Sequence, residues 1–185
     1  MQKNKSLTTR KIVFSAASIG LATVTANFIK LPSLPYGGST TLFSMLFVVL
    51  PGYLFGPVTG ICAAIAHGII QFISNPYAIH PLQVLLDYPL AFGALGLSGF
   101  FYKSKNGLIK GYVAGVLGRF FFASLAGAIF YTTYLGSFGS DLAALLAGIL
   151  YNLTYIGPEC ILTLVVLFLP PVRNGLSYIK RIATE

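Results

Sequence analysis

The sequence predicts an all-α membrane protein, a bundle of six transmembrane helices with both termini in the cytoplasm. Three observations carry that prediction. Hydrophobic residues make up 56% of the 185-residue chain and charged residues 9%, against roughly 25% charged in a soluble domain. The apolar residues fall into six stretches, roughly 12–29, 42–52, 57–73, 82–102, 109–131 and 142–169, and about 20 apolar residues cross a hydrocarbon core of about 30 Å. Lysine and arginine gather in segments that six crossings bring to one side, the side where cytoplasmic loops collect them. The connections are short, so residues 1–185 read as a single integral membrane domain. The net charge of +8 would suggest nucleic acid in a soluble protein; here its placement in loops assigns it to topology, and no nucleic-acid partner is expected.

The first span follows a polar start carrying Lys3, Lys5, Arg10 and Lys11. A basic start before an apolar run also describes a secretory signal, with Val24-Thr25-Ala26 as a cleavage site. Removing it would leave five spans and separate the basic C-terminus from the other basic loop, which argues for a retained helix. Ala16, Ala17, Ser18, Gly20, Ala22 and Ala26 supply small residues along this run, and small residues let another membrane helix approach closely. Both internal packing and a partner-protein surface fit that stripe.

Residues 30–41, KLPSLPYGGSTT, break the helix with two prolines and two glycines and read as a tight external loop. Spans two and three are divided near Tyr53 to Pro57, where Pro51-Gly52 and Gly56-Pro57 punctuate the apolar run. Span three contains His67, a residue that inside a span is either hydrogen-bonded within the bundle or a proton relay. After the loop at Ser74 to Pro81, span four carries Asp87 and Tyr88 in its first third. Lys103, Lys105 and Lys110 precede span five, which contains Arg119; a polar loop at 132–141 precedes span six, which Pro170-Pro171 end. A tail with Arg173, Lys180 and Arg181 completes the chain. Cys62 and Cys160 lie in apolar runs without metal or redox spacing, and packing accounts for both.

The stretch NPYAIHPLQVLLDYPLA, residues 75–91, holds the groups an apolar segment should not carry. An acid in a span costs roughly 2.5–3.5 kcal/mol on insertion scales and marks a functional site. Asp87 is one of four acids in the chain, with Gln83 one turn before it and Tyr88 beside it. The predicted topology places it just below the external surface, together with Tyr36, Tyr77, Tyr88, Tyr131, Tyr134 and Asn152. An interfacial aromatic belt explains part of the tyrosine set but not Asp87, Gln83 or Asn152. A carboxylate among aromatic faces suits a flat organic cation or an amino-substituted heterocycle. The chain has no HExxH, no GxSxG and no nucleotide-binding glycine loop, so neither these catalytic chemistries nor ATP use is written in it; no metal or cofactor is expected.

The run YxxHPLQxLLDYPLAFxxLGLSGFF, the earlier LPYGGSTTLFSML and the later GRFFFASLAGAIFY resemble the thiamine-specific substrate-binding (S) components of energy-coupling-factor (ECF) vitamin transporters, the ThiT family. The resemblance covers nearly the whole chain. It implies a six-helix protein that captures thiamine outside the cell and works with a transmembrane coupling protein and two ATPase subunits, which alone use ATP. It places the family's pyrimidine-binding carboxylate on Asp87, the adjoining tyrosine on Tyr88, the loop tyrosine on Tyr77 and the amide of span six on Asn152. Two positions depart from the family pattern: Ala123 stands where a histidine is usual, and Tyr131 where a tryptophan is usual. The small residues Ala16, Ala17 and Gly20 of the first helix become the contact to the coupling protein. Two alternatives stay open: the same scaffold taking a thiamine precursor such as hydroxymethylpyrimidine or another vitamin, and a solitary proton-coupled carrier or intramembrane enzyme using His67 and Glu159.

Overall fold

Segments in an apolar medium must satisfy their backbone groups internally, and the described apolar segments of the chain do so as helices. The computed structural model describes residues 2–32, 34, 38–135 and 141–185, with side chains described for 8–32, 34, 38–130 and 142–185. Seven helices follow in order: α1 Gln2–Phe28, α2 Ser44–Phe55, α3 Pro57–Ser74, α4 Pro81–Phe101, α5 Gly107–Leu135, α6 Asp141–Phe168 and α7 Pro170–Thr184. Among the described residues the extended pairing is a single antiparallel bridge, Lys30 with Thr41.

Among the described residues, five segments are long and apolar enough to cross a membrane: Thr8–Phe28, Pro57–Ser74, Pro81–Phe101, Gly107–Phe130 and Leu142–Phe168. The second expected span, 42–52, corresponds to α2. With 12 residues, α2 measures about 18 Å at 1.5 Å per residue, less than a hydrocarbon core. It lies at the centre of the bundle. Met45, Val48, Val49 and Leu54 are buried, and a helix apolar on every side belongs inside. Gly56 alone joins α2 to α3, at φ 92°, a left-handed conformation open to glycine and strained for other residues; Pro57 then starts α3 where its missing N–H has no helical partner to lose.

Three boundaries differ from the sequence reading. α1 begins at Gln2 rather than near residue 12, because nothing before Gly20 breaks a helix and polar residues prolong it as readily as apolar ones. α5 runs to Leu135 rather than 131. The tail after Pro170-Pro171 is a helix: the two prolines end α6 and supply the first turn of α7. Lys180 of α7 donates to the Tyr102 carbonyl and sits 4.1 Å over the Tyr53 ring, where desolvation lowers its pKa. Arg173 donates to Asn106 Oδ1 at 3.3 Å, and Arg10 to the Ile182 carbonyl at 3.3 Å. α7 therefore straps the end of the bundle where α1 begins, α2 finishes and α4 turns into α5.

α4 changes its winding. Leu86–Leu90 form a π-helical turn enclosing Pro89, and Gly96–Phe101 tighten to a 3-10 helix. Pro89 has no N–H, and its ring crowds the carbonyl four residues earlier; widening the turn relieves that crowding, and the Ala91 N–H reaches back to the Leu86 carbonyl. Such bulges re-aim side chains, and this one carries Asp87 and Tyr88.

Candidate functional site

Asp87 and Tyr88 face a cavity of about 560 Å³ at the end of the bundle opposite α7. Helices α1, α3, α4, α5 and α6 wall it, Ser44 in the first turn of α2 touches it, and Lys30, Gly38, Ser39 and residues 75–77 form the rim. Its size lies within the range of small-molecule sites.

Gln83 is 1% exposed and acts in two directions. Its amide nitrogen donates to Asp87 Oδ2 at 2.6 Å, and its carbonyl oxygen accepts from the Ile79 N–H at 3.3 Å. One side chain thus sets both the carboxylate and the loop before α4. The Tyr88 hydroxyl does similar work: it donates to the Asn75 carbonyl at 3.1 Å and accepts from the Tyr77 N–H at 3.2 Å, while its ring meets Phe72 edge-on at 5.0 Å. Asn75 in turn donates to Asn27 of α1 at 2.7 Å.

On the far wall, Asn152 donates to the Gly148 carbonyl at 2.8 Å and accepts from the Tyr155 hydroxyl at 2.5 Å. The 30–41 loop is seated on the same helix: the Gly38 N–H donates to the Tyr151 hydroxyl at 2.9 Å, and Thr40 to the Tyr155 carbonyl at 3.3 Å. A Cβ on Gly38 would come within 2.6 Å of that hydroxyl, so the close approach needs glycine.

Five of the residues singled out in the sequence, Asp87, Tyr88, Tyr77, Gln83 and Asn152, line this one cavity. Tyr36 lies outside the described residues, and so does the side chain of Tyr131 at the end of α5. Ala123 lines the wall, 6% exposed. Ala16, Ala17 and Gly20 are far from it on the exposed side of α1, whereas Ser18, Ala22 and Ala26 of the same stripe point inward and are buried.

The sequence reading did not put Arg119, Tyr151 or Tyr155 in the site, and all three line the cavity. A cation in mid-span is as costly as an acid, so Arg119 carried a signal; the two tyrosines carried none beyond composition. The Arg119 guanidinium lies 4.3 Å over the Phe92 ring, which also meets His67 edge-on at 5.2 Å.

His67 and Glu159 do not form a pair. His67 Nδ1 is 3.4 Å from Thr23 Oγ1. Glu159, 2% exposed, accepts from Thr41 at 2.6 Å, Ser44 at 3.1 Å and the Met45 N–H at 2.9 Å. Both carboxylate oxygens of Glu159 are engaged in tying α6 to the start of α2. What remains open to a ligand is an anion fixed by an amide, a cation on an aromatic face, and a wall of tyrosines. That set suits a flat, charged heterocycle.

Comparison with known proteins bears on which heterocycle. A family described as thiamine transporter protein matches residues 12–177. Thiamine transporter ThiT of Bacillus subtilis (strain 168) is 33% identical over 172 residues, covering 85% of each chain. The solved structure of ThiT from Listeria monocytogenes shares the fold with a TM-score of 0.57 at 18% identity, covering 98% of this chain and 94% of that one. The family match spans residues from α1 into α7 and takes in every helix that walls the cavity, and the chain belongs to the thiamine transporter protein family.

Proposed function

We propose that this chain is the membrane-embedded thiamine-binding component of an ECF-type uptake transporter, a multi-pass protein of the plasma membrane that captures thiamine in the cavity around Asp87. The observation that carries the reading is the Gln83–Asp87 pair: a carboxylate held by one donor keeps its other oxygen for the amine of an aminopyrimidine, while its charge attracts the thiazolium. Tyr77, Tyr88, Tyr131 and Tyr36 supply faces and hydroxyls around the rings, and Asn152 supports the far wall. The role is binding rather than catalysis. Transport is completed by a transmembrane coupling protein and two ATPase subunits, with Ala16, Ala17 and Gly20 of α1 as the contact surface.

Residues 1–185 act as one integral membrane domain with six crossings, α2 completing its crossing with the flanking segments, and with both termini cytoplasmic. The cavity then opens outward and α7 lies inside. In a background lacking Cys62 and Cys160, a membrane-impermeant thiol reagent added to intact cells should label Ala78→Cys and spare Lys105→Cys. The opposite pattern would invert the bundle.

Calorimetric titration of the detergent-purified protein with thiamine, its phosphates and its pyrimidine half tests the binding role. Thiamine should bind at one site per chain, more tightly than the pyrimidine half. Tight binding of the bare pyrimidine with no gain from the thiazolium would move the assignment to a precursor, and vesicles that accumulate thiamine without any ATPase would move it to a solitary carrier.

A further inference from the structure

Around its circumference α7 divides into three arcs at 100° per residue. Val172, Leu176 and Ala183 face the bundle, Ala183 fully buried. Arg173, Ser177, Lys180 and Arg181 form a polar arc. Between the two on the remaining side lie Tyr178, Ile179 and Ile182, exposed by 55%, 38% and 45%. The helix is held down by the Lys180, Arg173 and Arg10 contacts along its length, so this apolar arc is not the product of a loose end. It also continues a surface that already faces lipid: α7 starts directly after the apolar span of α6, and Phe168 and Leu169 at the junction are exposed by 62% and 48%. The charge at this end is mostly of one sign: residues 101–110 and 170–185 contain Lys103, Lys105, Lys110, Arg173, Lys180 and Arg181 against one acid, Glu185. The Arg181 guanidinium stands 5.1 Å over the Tyr178 ring, at the seam between the apolar and basic arcs.

We propose that α7 is an interfacial helix that binds anionic phospholipid in the leaflet at this end of the bundle. Tyr178, Ile179 and Ile182 enter the acyl boundary, and Arg173 and Arg181 take the phosphates, an arrangement in which apolar burial and charge act together. Lys180, occupied by Tyr102 and Tyr53, anchors the helix to the bundle. The inference concerns a surface remote from the thiamine cavity and stands independently of what that cavity binds.

The chain contains no tryptophan, so Tyr178→Trp places a unique fluorophore on the arc. The full-length protein is reconstituted in vesicles of phosphatidylcholine and phosphatidylglycerol, with a nitroxide near the top of the acyl chain carried on one lipid or the other. The Tyr178→Trp and Ile182→Trp reporters should be quenched by the lipid nitroxide, and Asn174→Trp on the polar side by aqueous iodide. Phosphatidylglycerol should be enriched about fivefold over phosphatidylcholine at the Tyr178→Trp reporter, the effect of one well-placed charge. Arg173→Gln with Arg181→Gln should remove the enrichment and keep the quenching. Iodide quenching of both arc reporters, without lipid quenching, would overturn the insertion and leave the arc to a protein partner. Equal quenching by the two lipids in the unmodified basic background would overturn the anionic selectivity. An unchanged thermal midpoint in detergent for each variant confirms that the reporters sit on the native fold, and a lowered midpoint moves the reading to the remaining reporter.

Discussion

The Arg119 guanidinium lies over the face of Phe92, 4.3 Å from the ring centre, while Asp87, on the same cavity wall, is held by the Gln83 amide at 2.6 Å. The two charges share a cavity without being committed to each other as an ion pair among the described residues. A bound ligand therefore meets both a fixed anion and a fixed cation. For charges about 8 Å apart at an effective dielectric near 20, each interaction is about 2 kcal/mol.

That magnitude makes Arg119 a determinant of which form of the vitamin is held. Arg119→Gln should shift the ratio of thiamine to thiamine monophosphate affinity by about tenfold or more in favour of thiamine. Titration of both ligands against both proteins measures the ratio directly. A ratio that does not move would turn the guanidinium away from the ligand.

Asp87→Asn removes the charge and keeps the shape. Charge-assisted hydrogen bonds are worth roughly 1.5–3 kcal/mol, so thiamine affinity should fall about 10- to 150-fold. Because Gln83 also holds the Ile79 N–H, the loop before α4 keeps its support in this variant, and the loss reads on the ligand alone. Unchanged affinity in calorimetry would remove Asp87 from the site.

Ala123 is buried on the cavity wall, and the resemblance read from the sequence implies a histidine at this position. Ala123→His should leave thiamine affinity equal or higher, since an added ring gains stacking area, worth about 1 kcal/mol, wherever the cavity accepts it. Weaker binding in the same titration would mean that the wall is already filled at this point.

How much of this the sequence disclosed depends on the kind of signal. Asp87, Gln83 and Asn152 stood out because polar groups in an apolar run need a reason, and they meet in one cavity. The apolar stretches located the helices, including the short α2, but not its burial on every side, because periodicity cannot tell a buried core helix from a spanning one. α7 was hidden by Pro170-Pro171, which read as a stop although the same residues open a helix. The roles of Tyr151 and Gly38 depend on a contact between residues 113 positions apart, which no local pattern encodes. His67 and Glu159 were open to a joint role from chemistry alone; their separate partners, Thr23 in one case and Thr41, Ser44 and Met45 in the other, are facts of packing.

On α1 the small residues separate into two faces, with Ala22 and Ala26 buried and Ala16, Ala17 and Gly20 exposed. A Cβ on Gly20 would meet nothing within 4 Å. Gly20→Leu should accordingly leave thermal stability within about 0.5 kcal/mol and thiamine affinity unchanged, and should abolish uptake in cells that carry the complete transporter, since close approach of a partner helix needs small residues. Normal uptake by this variant would remove that face from the coupling interface.

Glu159 separates a structural tie from a proton path. Its carboxylate gathers the Thr41 and Ser44 hydroxyls and the Met45 N–H, so it fixes the end of the 30–41 loop and the first turn of α2 on α6. Glu159→Ala leaves those donors without an acceptor in a buried place, a cost of about 2–5 kcal/mol, which in a chain of this size lowers the thermal midpoint by roughly 5–15 °C. Thiamine affinity should fall with it, because Thr41 and Ser44 also line the cavity. Glu159→Gln keeps one acceptor oxygen for the Met45 N–H and offers an amide to hydroxyls that can accept as well as donate, so it should recover most of the midpoint and most of the affinity. Melting curves with and without thiamine measure both. A Glu159→Gln protein that melts normally and binds normally, yet loses uptake in step with a lost dependence on the proton gradient, would make this carboxylate a carrier of protons instead of a tie between helices.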